Sequence, residues 1–163
     1  MADVFPLLLA EKFCRALCVL DPYGLHPNWD VVKAAGQSEM IEIFLNFPVA
    51  YINRNALWNH PDRVKPEQAA RLTAFWGDES WRAVAYDTSR DLFGHPTKTD
   101  NETIVEAFRK RLLNGAGFKY VLEPMPMRNR SNAVVYYLIF ATPNATADRI
   151  VKHIFNKYKD KNG

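Results

Sequence analysis

Three short stretches of this chain concentrate side chains that can bind or orient a polar ligand. In the first, Leu20-Asp21-Pro22-Tyr23-Gly24, the Asp21 carboxylate can accept a hydrogen bond from an amine or a ribose hydroxyl. Pro22 stiffens the turn, Tyr23 offers a flat face to a base, and Gly24 lets a backbone approach closely. The same string also reads as an ordinary β-turn in which Asp21 bonds its own backbone. The second stretch is Asn46-Phe47-Pro48 with Tyr51-Ile52-Asn53-Arg54-Asn55 behind it. Arg54 can hold a phosphate or carboxylate through two parallel bonds; the alternative is a solvated loop with capping asparagines. The third, Arg128-Asn129-Arg130, adds local positive charge or is a soluble hairpin tip.

Other chemistries lack their residues. There is no GxGxxG, no phosphate-binding GxxxxGK[ST], no GxSxG and no HExxH. His26, His60, His95 and His153 are scattered without ligand spacing, so no structural metal is expected. Cys14 and Cys18 are too few for a disulfide framework and too far apart along a strand to bond each other, which predicts reduced thiols. The net charge of +3 permits contact with nucleic acid without demanding it.

The 163 residues fit one domain, and 48% hydrophobic with 24% charged residues excludes a disordered or low-complexity chain. No apolar run approaches the ~20 residues of a membrane span. Met1 to Ala10 has no basic lead-in or small-residue cleavage site before Phe5-Pro6-Leu7-Leu8-Leu9, so a cytoplasmic setting is expected.

Strand and helix patterns alternate along the chain. Arg15 to Leu20 is a nearly continuous apolar run, as in a strand buried on both faces. A helix over Trp29–Ala35, capped by Asn28 and closed by Gly36, leads to a second strand over Glu39–Leu45. This is a βαβ unit with a right-handed crossover expected. The middle third reads as helical, with Pro66 opening one helix, Gly77 ending it, and Thr99-x-x-Glu102 as a capping box for another. That later helix puts Ile104, Phe108 and Leu112 on its inner stripe and Arg109, Lys110 and Arg111 outside. The last third predicts a strand over Phe118–Glu123, a long connection over Pro124–Asn132, and a central strand over Ala133–Ala141. A helix capped by Asn144 follows, with Ile150, Val151, Ile154, Phe155 and Tyr158 inward. The economical architecture is a three-layer α/β fold with helices on both faces of one sheet.

Several blocks in order resemble the three-Cys-motif partner protein family: Leu20-Asp21-Pro22-Tyr23-Gly24-Leu25 with Trp29, Phe44-Leu45-Asn46-Phe47-Pro48, Ile52-Asn53-Arg54-Asn55, and Phe75-Trp76-Gly77-Asp78-Glu79-Ser80-Trp81. Gly117-Phe118-Lys119-Tyr120-Val121, Pro126-Met127-Arg128-Asn129 and Tyr136 to Ala141 continue the series. The resemblance implies an S-adenosylmethionine-dependent, methyltransferase-like, Rossmann-like fold, of which these residues would be the second half. Their strands would be equivalents of strands 4, 5, 7 and 6, in that order across the sheet. The Gly-rich half that binds the methyl donor would be absent, so S-adenosylmethionine is implied as cofactor by the resemblance alone, and independent catalysis is not expected. By the same resemblance Asp21, Pro22 and Tyr23 would take the catalytic turn. Gly24, Asn46, Phe47, Asn53, Arg54, Arg128 and Asn129 are candidate substrate-binding residues.

The family is associated with a phage-type, three-cysteine protein similar to radical S-adenosylmethionine enzymes, which the resemblance implies as a partner. Without preceding strands, the strand at 15–20 would be an exposed apolar edge. The expected cover is Ala2 to Lys12, a homodimer, or a partner chain. The alternative function is a nucleic-acid or protein binding module of a phage or mobile-element system.

Overall fold

The computed structural model describes residues 15–22, 24–87 and 97–159. Tyr23, Cys14, His95 and the stretch from Ala2 to Lys12 lie outside these. The described chain forms β1 (Ala16–Leu20), α1 (Trp29–Ser38), β2 (Ile41–Phe47), α2 (Val49–Asn55), a 3-10 turn (Pro61–Arg63) and α3 (Pro66–Trp76). Next come α4 (Trp81–Ala85), β3 (Tyr86–Asp87), β4 (Thr97–Lys98), α5 (Asn101–Asn114), β5 (Tyr120–Val121), β6 (Met125–Arg128), β7 (Val134–Thr142) and α6 (Ala145–Lys159).

The main sheet is mixed and runs β1-β2-β7-β5, with β6 also on the far side of β7. β1 and β2 are parallel, in the register Ala16 to Ile41 through Leu20 to Leu45. β7 lies antiparallel to β2 on one side and to β5 and β6 on the other. The expected insertion of the last strand into the sheet is therefore present. A small antiparallel pair, β3 with β4, interrupts the middle third that reads as helical.

The alternation of β2 divides the core. Ile41, Ile43, Leu45 and Phe47 are fully buried on one face of the sheet, beneath α1, α3 and α5. There Phe108 is wholly buried among Phe47, Phe75, Trp76 and Trp29, with ring centroids 5.0, 5.1, 5.4 and 6.0 Å away. On the opposite face Phe44 and Phe140 meet Phe155 of α6. Helices thus cover both faces, but unequally. None of the described helices is long and apolar enough to cross a membrane.

Several local expectations are corrected. β1 is not buried on both faces: Leu17 and Val19 are 57% and 65% exposed, because among the described residues β1 is the sheet edge and α6 does not reach over it. α1 continues past Gly36 to Ser38. Gly36 serves packing, since a Cβ there would drive into the Ala116 carbonyl, and Glu39 in the left-handed region (φ 55°) ends the helix. The cap of α5 is Asp100, which accepts from the Thr103 N–H at 2.6 Å, while Thr99 donates its hydroxyl to the Val84 carbonyl. Arg109 and Arg111 are not free surface cations. Arg109 donates to the Val121 carbonyl, and Arg111 lies over the Trp29 ring and donates to the Trp76 carbonyl and Asp78.

The connection expected over Pro124–Asn132 holds a strand over four of its nine residues. Met125–Arg128 pairs with β7, and only a tight tip remains, while Phe118–Glu123 contributes just Tyr120–Val121. Pro126 is tolerated because β6 lies at the sheet edge, where a missing N–H costs little. In α6, Asn144 caps as expected, accepting from the Thr146 N–H at 2.8 Å. Phe155 is inward, but Ile150, Ile154 and Tyr158 remain 53%, 45% and 43% exposed.

Candidate functional site

The parallel crossover brings the first two stretches of candidate residues together. Leu20 and Leu45 are register partners, so Asp21 and Asn46 follow as neighbours at the carboxyl ends of β1 and β2. The Asn46 side-chain amide donates to Asp21 Oδ1 at 2.7 Å. Asp21 is therefore engaged across strands, where the sequence also allowed a bond to its own backbone. Strand carboxyl ends are where open α/β sheets bind ligands. Because the Asn46 nitrogen must face the carboxylate, its carbonyl oxygen must face away; that oxygen is buried and accepts no hydrogen bond among the described residues. The pair therefore presents one acceptor to solvent, the outer oxygen of the exposed Asp21 carboxylate, while Asn46 Oδ1 is a buried acceptor behind it.

Pro22 is half-buried beside them, and Gly24 adopts φ +85°. Its Cα faces the Tyr51 ring closely enough that a Cβ would sit 3.3 Å from Tyr51 Cζ. Glycine is needed for both the backbone angle and the approach. Tyr23 lies outside the described residues.

The Tyr51–Asn55 stretch is not a loop but the body of α2. Asn53 faces inward and donates to Asn101 Oδ1 at 2.8 Å, joining α2 to the start of α5, and its own carbonyl oxygen is buried with no donor among the described residues. Arg54 is exposed, and its backbone carbonyl accepts the Trp58 indole N–H at 2.6 Å. Among the described residues the Arg54 guanidinium forms no ion pair. Phe47 is a core residue with no exposed surface, packed on Phe75 and Phe108.

The third stretch is a hairpin tip. Asn129 Oδ1 accepts from the Ser131 and Ala133 N–H groups, and Arg128 donates to the Asn132 carbonyl at 2.9 Å. Asn129 is occupied by the turn. Arg128 stands near Tyr137, whose phenol donates to Glu102 at 3.0 Å. Burial, then that bond and the charge of Glu102, push the Tyr137 phenol up to about 12, with Arg128 partly opposing. Asn101 and Tyr137 are not among the sequence candidates, and Glu102 enters there only as half of a capping box. Their only signal was position: two open α5, and the third lies on a strand read as uniformly apolar.

Concavities among the described residues lie elsewhere. A groove of about 650 Å³ runs between α6 and the less covered sheet face, floored by Phe44, Leu138 and Phe140. A smaller cavity of about 380 Å³ lies between α5 and α6, beside Lys119, Glu123 and Lys152. The fold and these strand ends define an α/β protein with a mixed sheet and an acceptor-bearing strand-end pair. No known protein family matches the chain, and neither a curated protein nor a solved structure is detectably similar to it.

Proposed function

We propose that these residues form the acceptor-side half of a methyltransferase-like module of the three-Cys-motif partner kind, without independent catalysis. The observation that carries this reading is the Asp21–Asn46 pair at 2.7 Å, on adjacent parallel strand ends. An exposed carboxylate held by an amide, with no cation in the pair, suits a ligand that donates hydrogen bonds, such as the exocyclic amine of a nucleobase, better than a phosphate. In this role Asp21 orients the amine, Asn46 fixes the carboxylate, and Tyr23 supplies the stacking face. The sheet order β1-β2-β7-β5/β6 supports the same reading, since it reproduces the order expected for the second half of such a fold.

S-adenosylmethionine would supply the methyl group when bound, but no described residue is assigned to hold it. The test has two arms. Calorimetric titration with S-adenosylmethionine should give no saturable heat for this chain. Adenosine or cytidine, followed by NMR, should shift the Asn46 side-chain amide signals, and Asp21→Ala should abolish that shift. Saturable donor binding would refute the noncatalytic half of the reading; an unmoved Asn46 signal would refute the amine site.

A protein-binding role is the second reading. The exposed apolar side chains of β1 and α6 favour it over nucleic-acid binding, for which Arg54, Arg128 and Arg130 are the available cations. The implied three-cysteine partner belongs to this reading.

A further inference from the structure

β1 is an apolar strand at the edge of the sheet, and among the described residues nothing pairs with its outer side. The direction of its free groups follows from one bond. The Ala16 N–H donates to the Met40 carbonyl, toward β2. Backbone groups alternate sides along a strand, so those of Ala16, Cys18 and Leu20 face β2, and those of Leu17 and Val19 face outward. Among the described residues two N–H and two C=O groups therefore stand unpaired on the edge. Natural edges are usually protected by charge, proline or a bulge, and Ala-Leu-Cys-Val-Leu has none of these.

We infer that a second copy of this chain pairs with β1, antiparallel about a two-fold axis through Cys18. In that register Leu17 of one copy faces Val19 of the other, so all four outward groups are satisfied within β1. A register centred on Leu17 or Val19 would need residues beyond the strand. The apolar side chains fit the same operation. Leu17 and Val19 stand on the sheet face that continues to Ile150, Ile154 and Tyr158 of α6. On ordinary side-chain areas, their exposed fractions offer about 500 Å² per copy and about 1,000 Å² for a pair, the size that a specific interface must reach. Pairing joins the two sheets into one and makes these faces contiguous. It uses neither Asp21 nor Asn46, so it stands apart from the proposed ligand site.

Cys18 reports the register. At a non-hydrogen-bonded antiparallel pair the two Cα atoms are about 4.5 Å apart, within the range a disulfide spans. The experiment uses the full chain, with Cys14→Ser to leave Cys18 as the one thiol. Sedimentation equilibrium should give twice the chain mass of 18.7 kDa. Oxidation with diamide should then give a covalent dimer, reversed by reductant. Val19→Lys, at a 65% exposed position, should retain the circular dichroism of the parent while losing both dimer and cross-link. A monomer at micromolar concentration overturns the inference and assigns the edge to residues 1–14 or another protein. A dimer that survives Val19→Lys, or that never cross-links through Cys18, overturns it equally.

Discussion

Replacing Phe108 by alanine tests whether the core is organised as described. Phe108 has no exposed surface and contacts four aromatic rings, from a parallel stack on Phe75 (8° between planes) to an edge contact with Trp29 at 74°. Truncating a buried phenylalanine costs about 3–5 kcal/mol. Each aromatic pair adds about 0.5–1.5 kcal/mol beyond area, though pairs sharing one ring do not sum. The rings of α3, α5, β2 and α1 meet here without a flexible chain to refill the space, so the upper part of that range is expected, about 4–5 kcal/mol. A domain has about 5–15 kcal/mol in all. With a urea slope of about 2 kcal/mol/M, the midpoint should fall by about 2 M. Trp29 and Trp76 flank the site, so their fluorescence follows the transition. Phe108→Leu should lose clearly less. A loss below about 1.5 kcal/mol at unchanged slope would mean that these rings are not mutually packed, and the placement of α5 against β2 would fall with them.

Two smaller effects concern the entrance to α5 and the strand above it. Asp100→Ala removes the cap on Thr103 and should cost about 1 kcal/mol in the same titration. The bond to Thr103 holds the Asp100 carboxyl below its ordinary value of 3.8, so its contribution is present above that value and lost as pH falls through the lower folded value. The difference between parent and Asp100→Ala should therefore shrink in acid; a pH-independent difference would argue against the cap. The Tyr137 phenol has the opposite sense, with a folded value of about 12 against an ordinary 10.0. Its contribution is complete below pH 10 and lost as pH rises toward 12. A spectrophotometric titration should show one phenol ionising late, missing in Tyr137→Phe and shifted down in Glu102→Gln.

What the sequence discloses, and what it conceals, follow from how far each signal reaches. Local rules found the Asn28 and Asn144 caps, the stop at Gly77 and the inner stripe of α5, because each depends on neighbours within one turn. Composition also placed β7 at the centre, since apolar residues on both sides of a strand need cover on both faces. The same rule failed for β1. A run such as Leu17-Cys18-Val19 has the residues of a buried strand whether or not anything covers it, so hydropathy cannot say which face α6 reaches. Ile150 and Ile154 were misread for the same reason, being apolar on the helix side that looks past the sheet edge. Arg111 shows the reverse error: a charge on the outer stripe is held down by a tryptophan ring and a carbonyl contributed by distant segments.

The candidate site depends on one topological fact. Asp21 follows β1 and Asn46 is the penultimate residue of β2, yet they meet because the strands are parallel and Leu20 is paired with Leu45. Had the strands formed an antiparallel hairpin, the residue after the first strand would face the start of the second. Asp21 and Asn46 would then be separated by about five residues, or about 17 Å. The crossover through α1 is what creates the site, and its seating depends on Gly36 lying against the Ala116 carbonyl. A methyl group at Gly36 would meet the Ala116 carbonyl and push α1 away from the turn after α5. The acceptor chemistry at the strand ends is thus a property of the βαβ unit as a whole, more than of the Asp-Pro-Tyr-Gly turn that first drew notice.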